Sequence, residues 1–186
     1  MHHALLESLS AGLSAAGIAC LRYEFPYMGR GSKRPDPPPV CHATVRSAVL
    51  EAARLTCAPL IAGGRSFGGR MSSQAQAIAP LPKVHGVAFI GFPLHTAHHP
   101  TDDRAKHLFD VEVPMLFLQG TQDELADLTL LAPLVKRLGK QATLELFEHA
   151  NHAFHVPKRS GRTDAQVLDE LIGALGRWIV TVTAAA

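Results

Sequence analysis

The hydrophobic positions along the chain follow two spacings, one typical of amphipathic helices and one of buried strands. From Leu5 to Ala16, apolar residues recur every three or four positions, and Gly17 follows them as an expected helix C-cap. Continuous apolar runs of strand length then alternate with further helical segments. The predicted strands span 18–25, 59–64, 84–92, 113–120 and 142–149, and the later predicted helices span 40–55, 67–79, 127–138 and 164–182. Thr163 and Gln166 predict a capping box at the start of the last helix.

This alternation predicts the fold class. Continuous apolar runs suit strands that are buried on both faces, and intervening helices are typical of parallel connections. We therefore expect a three-layer α/β/α sandwich with a mainly parallel sheet. We expect a single domain over residues 1–186, because the sequence has no internal repeat and no long linker.

Composition narrows the class of protein. A net charge of only +2 gives no reason to expect nucleic-acid binding. The three cysteines, Cys20, Cys41 and Cys57, lack zinc-site spacing and suggest reduced thiols. The N-terminus has no basic leader, and no apolar run reaches the roughly 18 residues of a membrane span. We expect a cytoplasmic protein without membrane contact; the oligomeric state is not predicted.

A glycine-rich stretch, "GGRSFGG" at 63–69, is the first candidate for chemistry. Gly64, Ser66 and Gly68 form a G-x-S-x-G pattern between a predicted strand and a predicted helix. A sharp turn at this point exposes the serine hydroxyl above the sheet, and glycines at 64 and 68 are expected to prevent collisions. The N–H of Phe67 is the expected donor to an oxyanion. The interpretation is that Ser66 is a nucleophile.

A serine nucleophile needs a base and an acid, and later strand ends supply both. Asp123 follows the strand at 113–120, and His152 follows the strand at 142–149. The chain order Ser, Asp, His is the one expected of a nucleophile on this kind of turn. The alternatives are Glu124 and Asp127 for the acid, and His149 and His155 for the base.

Four segments together resemble a known family. They are "RYEFPYMGRGSKRPD", "GGRSFGGRMSSQ", "LQGTQDELA" and "HANHAF". They resemble the α/β-hydrolase superfamily, in particular its small dienelactone-hydrolase-like branch and bacterial hydrolase-like proteins related to a histone acetyltransferase complex subunit. The resemblance implies Ser66 as nucleophile, Asp123 as acid and His152 as base. The implied function is a serine hydrolase of carboxylesterase or thioesterase type, acting on a small-molecule ester without a cofactor.

The sequence departs from this family at its start. Relatives begin with another strand and a glycine-rich "HGAG"-type loop, which supplies a second oxyanion N–H and a strand between those predicted at 18–25 and 59–64. This sequence begins with the helix that normally follows that loop, so we expect an N-terminally truncated version of the fold. The alternative function is therefore a noncatalytic binding protein or an inactive truncated product.

Other polar and aromatic residues have less specific interpretations. Arg65 and Arg70 flank the serine and suit either an anionic substrate or structural ion pairs. Arg65, Phe92 and Phe154 are the candidate substrate-binding residues, although both phenylalanines also suit an ordinary core. The basic loop with Arg30, Lys33 and Arg34 suits a solvated loop or an acidic substrate. The histidines and aspartates between 95 and 107 lack a recognised zinc pattern, so we expect a polar lid loop and no metal.

Overall fold

A computed structural model describes residues 3–184. Its four strands form one parallel sheet in the order β1-β2-β3-β4. The strands are β1 (Leu60–Arg65), β2 (Val84–Ile90), β3 (Met115–Gly120) and β4 (Ala142–Phe147). The helices are α1 (Ala4–Ala15), α2 (Pro26–Gly29), α3 (Pro38–Leu55), α4 (Phe67–Ile78), α5 (Leu128–Leu138) and α6 (Asp164–Ala184). Three 3₁₀ segments cover Asp103–Asp110, Gly139–Gln141 and Lys158–Ser160.

The two faces of the sheet are covered by different helices. Successive residues of a strand point to opposite faces, and β2 and β3 show this directly. Ala88, Ile90, Leu116 and Leu118 pack toward α1 and α6, whereas Val87, Phe89, Met115 and Phe117 pack toward α5. The predicted α/β fold with helices on both sides of a parallel sheet is confirmed.

Helix ends follow the expected local chemistry. Gly17, with φ of 80°, follows the end of α1, and the Ile18 N–H donates to the carbonyl of Leu13 at 2.9 Å. The Thr163 N–H donates to Gln166 Oε1 at 2.8 Å, and the Gln166 N–H donates to Thr163 Oγ1 at 3.2 Å. This reciprocal pair is the predicted capping box of α6.

The predicted strand at 18–25 is wrong. Residues 18–25 have no strand assignment, and within residues 3–184 β1 lies at the edge of the sheet and pairs with β2 alone. A strand needs a hydrogen-bonded neighbour, and this segment has none in the described sheet. Phe25 is instead buried among residues of α3 and α4, with Tyr23 partly buried beside it. The aromatic residues that suggested a strand contribute to helix packing.

Candidate active site

Ser66 occupies the sharp turn between β1 and α4. Its backbone has φ of 49° and ψ of −116°, a conformation that is costly for a residue with a side chain. Hydrogen bonds on both sides maintain it. The Ser66 N–H donates to the Ile90 carbonyl at 3.0 Å, and the Ser66 carbonyl accepts the Arg70 N–H at 3.2 Å. The strained turn places the hydroxyl at the carboxyl end of the sheet.

The glycines around Ser66 have unequal roles. A Cβ on Gly69 would lie 2.7 Å from the Gly64 carbonyl oxygen, and Gly64 has φ of 157° with the Gly69 nitrogen 3.2 Å from its own would-be Cβ. A Cβ on Gly68 would meet nothing within 4 Å. The expectation that Gly68 prevents a collision is therefore wrong. Gly64 and Gly69 are the pair that lets α4 approach the strand.

The side chains of Ser66, His152 and Asp123 form a continuous hydrogen-bonded chain. His152 Nε2 lies 2.8 Å from Ser66 Oγ, and His152 Nδ1 lies 2.7 Å from Asp123 Oδ2. The Asp123 side chain is fully buried, whereas the His152 side chain is 16% exposed. A buried carboxylate favours the tautomer with the proton on Nδ1, which leaves Nε2 free to accept the serine proton. The geometry suits activation of a serine hydroxyl.

Gln119 donates a hydrogen bond to Asp123 and was not identified from the sequence. This residue of β3 is fully buried, and its Nε2 donates to Asp123 Oδ2 at 2.5 Å. Its Oε1 accepts the Phe92 N–H at 2.9 Å, which connects the ends of β2 and β3. The other Asp123 oxygen accepts the Leu125 N–H at 2.8 Å. A polar residue inside the apolar run "MLFLQG" was the available signal.

Two glycines allow the histidine loop to approach the strand ends. A Cβ on Gly120 would lie 2.2 Å from the Ala150 carbonyl oxygen, so only glycine permits this close contact. Gly91 has φ of 70°, and its would-be Cβ lies 3.4 Å from the His152 ring. The Asn151 side chain accepts the Ala153 N–H at 2.8 Å and further stabilises the loop. His152 is thus fixed by its own loop as well as by Asp123.

The alternative acids and bases have other contacts. Glu124 is exposed, and Asp127 caps α5 by accepting the Thr129 N–H at 2.8 Å. His149 is exposed. His155 Nδ1 lies 2.8 Å from Asp164 Oδ2, at the start of α6. Among the acids and bases considered from the sequence, the structure brings Asp123 and His152 to Ser66.

The candidate oxyanion donor has a free N–H within its helix, whereas two of the three candidate substrate-binding residues are buried. Phe67 is the first residue of α4, so its N–H has no acceptor within the helix. Arg65 Nη2 donates to the His152 carbonyl at 3.3 Å. Phe92 is fully buried against Phe89 and Phe117, and Phe154 is buried against Phe147. Both phenylalanines therefore belong to the core in this conformation.

The histidine-rich segment contributes a second serine–histidine contact. Ser73 Oγ, on α4, lies 2.8 Å from His107 Nε2. Burial, followed by the charge of Arg70, lowers the pKa of His107 to about 4. His95 is buried, and its Nε2 accepts the Asp127 N–H at 2.8 Å. Across residues 3–184, no group of three or more potential ligand side chains is arranged to hold a metal ion.

No helix in the described part of the chain is both long and apolar enough to cross a membrane.

The fold and the hydrogen-bonded serine define an α/β hydrolase, and comparison with known proteins agrees. A family model described as an alpha/beta hydrolase domain matches residues 1–180. The chain belongs to this family, which confirms the predicted superfamily. The narrower resemblance to the dienelactone-hydrolase-like branch stays a prediction.

Solved structures with the same fold come from several bacteria. An α/β serine hydrolase without a lid from Xanthomonas campestris is 25% identical, with a TM-score of 0.70, over 96% of this chain and 75% of that one. An α/β serine hydrolase homologue from Coxiella burnetii is 20% identical, with a TM-score of 0.71, over 93% of this chain and 74% of that one. A protein of unknown function from Agrobacterium tumefaciens, described as a hydrolase of this fold, is 20% identical, with a TM-score of 0.73, over 97% of this chain and 79% of that one.

Proposed function

We propose that this protein is a serine hydrolase that cleaves a carboxylic ester or thioester of a small molecule through an acyl-enzyme. The observation that carries the proposal is the unbroken chain from Ser66 Oγ through His152 to Asp123, with contacts of 2.8 and 2.7 Å. The likeness to an α/β serine hydrolase at 25% identity supports the same chemistry. No cofactor enters the proposed reaction.

Acylation begins with attack of Ser66 Oγ on the carbonyl carbon, while the hydroxyl proton passes to His152 Nε2. The buried Asp123 carboxylate stabilises the imidazolium that forms. The N–H of Phe67 donates to the oxyanion of the tetrahedral intermediate. The carbon–oxygen or carbon–sulfur bond then breaks, and the leaving alcohol or thiol takes the proton from His152. The product of this stage is an ester on Ser66.

Deacylation repeats these steps with water. His152 accepts a proton from a water molecule, and the resulting hydroxide attacks the acyl carbon. The bond to Ser66 Oγ breaks, the serine regains its proton from His152, and a carboxylic acid leaves. The hydrogen bonds from Gln119 and Leu125 keep Asp123 oriented during both stages.

A pre-steady-state burst tests the proposal. The protein is mixed with p-nitrophenyl acetate and p-nitrophenyl butyrate, and in parallel with short-chain acyl thioesters. We expect a burst of leaving group close to one equivalent per protein, followed by slower turnover, and loss of both phases in Ser66→Ala. Ser73→Ala is the matched control, because it removes a serine hydroxyl from the helix that follows Ser66.

The contrary result is equally specific. Well-folded protein that releases no more leaving group than Ser66→Ala, across the esters and thioesters, would contradict the hydrolase proposal. That outcome would favour a noncatalytic binding protein with this fold.

A further inference from the structure

Arg70 is a cation close to Ser66 for which the proposed reaction gives no role. It lies one helical turn beyond the serine on α4, and its N–H donates to the Ser66 carbonyl at 3.2 Å. Its guanidinium carbon lies 5.7 Å from the centroid of the Phe67 ring. The side chain therefore extends back along α4, as long helical side chains usually do. The positive charge of Arg70 therefore lies near the N-terminal end of α4, the end that follows Ser66.

The guanidinium of Arg70 is half-buried and, apart from its contact with the Phe67 ring, has neither an ion-pair partner nor a hydrogen-bond acceptor in the described residues. Within residues 3–184 it makes no ion pair and donates no hydrogen bond, and its Nε is fully buried. Arg46 is different, since its Nη2 donates to the carbonyls of Ala75 and Ala79 at 2.5 and 2.7 Å. A buried charged donor without an acceptor is unfavourable. Arg46 is satisfied by the fold, and Arg70 is not.

Arg104 places a second positive charge near Arg70. It belongs to the 3₁₀ segment Asp103–Asp110, which the contact between Ser73 and His107 joins to α4. Its Nη1 donates to the His95 carbonyl at 2.9 Å. Burial and then the charge of Arg104 lower the pKa of Arg70. The two guanidinium groups therefore repel each other in a partly buried setting.

Neighbouring groups oppose this positive field only weakly. Cys41 raises the pKa of Arg70, and Asp110 raises the pKa of His107. The opposing effects are larger, so both pKa values are lowered. His42 adds to the lowering at His107. The N-terminal end of α4 is itself electropositive because of the helix dipole. Burial, a like charge and the helix end thus all disfavour a lone cation at this position.

An anion would relieve all three effects. We propose that Arg70, with Arg104 beside it, binds a carboxylate or phosphate group of the substrate whose ester bond Ser66 attacks. A guanidinium offers paired N–H donors that match two oxygens of either group. The inference rests on the proposed hydrolase function, and it narrows the substrate class to anionic esters.

A small dicarboxylic monoester carries both groups that the two proposals require, an ester for Ser66 and a carboxylate for Arg70. Succinate and its monoesters are therefore suitable probes, and inorganic phosphate probes the alternative anion.

Direct binding tests the anion site without any turnover. Succinate and inorganic phosphate are titrated calorimetrically into Ser66→Ala and into the same protein with Arg70→Gln. The matched control is Arg54→Gln, since Arg54 is an exposed arginine at the far end of α3 that pairs with Glu51. We expect Arg70→Gln to weaken binding of at least one anion by roughly tenfold or more, with Arg54→Gln unchanged. Equal binding with and without Arg70, or binding of neither anion to the parent, would overturn the proposal.

A second readout needs no substitution at Arg70. An anion on Arg70 would offset its field at His107, so the pKa of His107 measured by NMR should rise when succinate or phosphate is added. An unchanged value at saturating anion would contradict the site. The anion that produces the larger rise identifies the preferred group.

Kinetics separate failure of this site from failure of the hydrolase proposal. We expect p-nitrophenyl hemisuccinate to be cleaved with a higher kcat/KM than p-nitrophenyl butyrate, and Arg70→Gln to remove that preference mainly through KM. If both esters are cleaved equally and Arg70→Gln changes neither, the anion site is wrong and the hydrolase stands. If neither ester is cleaved but succinate binding depends on Arg70, the anion site stands and the ester hydrolase is wrong.

Discussion

The turn before helix α4 and the helix itself each carry a serine–histidine contact, of the same length but in very different surroundings. Ser66 Oγ and Ser73 Oγ each lie 2.8 Å from a histidine Nε2, of His152 and His107 respectively. Ser66 is the strained residue before the helix, and Ser73 lies fully buried within it. His152 is backed by a buried carboxylate, whereas His107 lies near the positive charge of Arg70.

The difference shows that distance alone does not make a nucleophile. A base must gain a proton as the serine attacks, and in the proposed reaction Asp123 stabilises the cation that forms at His152. At His107 burial and Arg70 disfavour the same cation. Ser73 Oγ also lies 3.0 Å from the Arg70 carbonyl, which suits a structural hydroxyl that donates within its own helix. We therefore propose a catalytic role for the contact between Ser66 and His152 and a structural role for the contact between Ser73 and His107.

The largest expected effect comes from removing each histidine in turn. His152→Gln should lower kcat for p-nitrophenyl butyrate by about 10⁴-fold or more, because the serine loses its base. His107→Gln should change kcat by less than about threefold, since that ring is not in contact with Ser66. Steady-state kinetics on folded variants measure both. Comparable losses in the two variants would remove the distinction between the contacts.

Gln119 tests whether the carboxylate behind His152 must be held in place. Gln119→Leu leaves the Phe92 N–H without its acceptor and removes one donor to Asp123. We expect unfolding to become easier by about 1–3 kcal/mol and kcat to fall by roughly tenfold to a hundredfold, from loss of orientation. Both are measured on the same sample, by urea unfolding and by hydrolysis.

A shifted pH profile would separate orientation from a general loss of stability at Gln119. Gln119→Glu keeps the size of the side chain and places a second acid beside Asp123. We expect it to move the acidic limb of the kcat/KM profile, because the added acid lies beside Asp123, while it keeps an acceptor for the Phe92 N–H and so loses less stability than the leucine variant. A leucine variant with full activity would contradict the positioning role.

Alanine substitutions at two adjacent glycines test the turn that holds Ser66, because a methyl group collides at Gly69 and meets nothing at Gly68. Gly69→Ala forces a methyl group to within 2.7 Å of the Gly64 carbonyl oxygen, and Gly68→Ala meets nothing within 4 Å. We expect Gly69→Ala to destabilise the fold by about 1–3 kcal/mol and to slow the burst, with Gly68→Ala close to the parent. Thermal unfolding and burst amplitude provide the two measurements. Equal effects of the two substitutions would show that the turn is not held as described.

The last expected effect is confined to acid solution and is a pH dependence of stability that arises from His107. Its pKa is lowered to about 4, whereas an unfolded histidine takes up a proton near pH 6.5. The neutral ring therefore contributes its full stabilisation above about pH 6.5, and this is lost as the pH falls toward 4. The limiting slope for one proton is about 1.4 kcal/mol per pH unit. Urea unfolding of His107→Gln should show a flatter dependence in this window, and identical slopes would contradict the assignment.

The sequence predicted features that depend on local pattern or on the ends of neighbouring strands. The parallel sheet followed from continuous apolar runs, and Asp123 and His152 were selected because parallel strand ends share one edge. The strand predicted at 18–25 failed because pairing depends on a partner elsewhere in the chain. Phe25 is an apolar residue of the kind found in strands, but in the described fold its side chain packs against α3 and α4.

Contacts between distant segments could not be predicted in the same way. In the sequence Gln119 is one polar residue in an apolar strand, and its role depends on contacts with Asp123 and with the main chain at Phe92. The contact between Ser73 and His107 depends on how the 3₁₀ segment packs against α4. The absence of an acceptor for the Arg70 guanidinium among the described residues is likewise a property of the assembled fold.

The most direct test is to map where a fluorophosphonate reacts. The probe phosphonylates an activated serine, and peptide mass spectrometry identifies the modified residue. We predict stoichiometric modification of Ser66, none of Ser73, and loss of the adduct in Ser66→Ala but not in Ser73→Ala. An adduct on Ser73, or a folded protein that resists the probe altogether, would contradict the account.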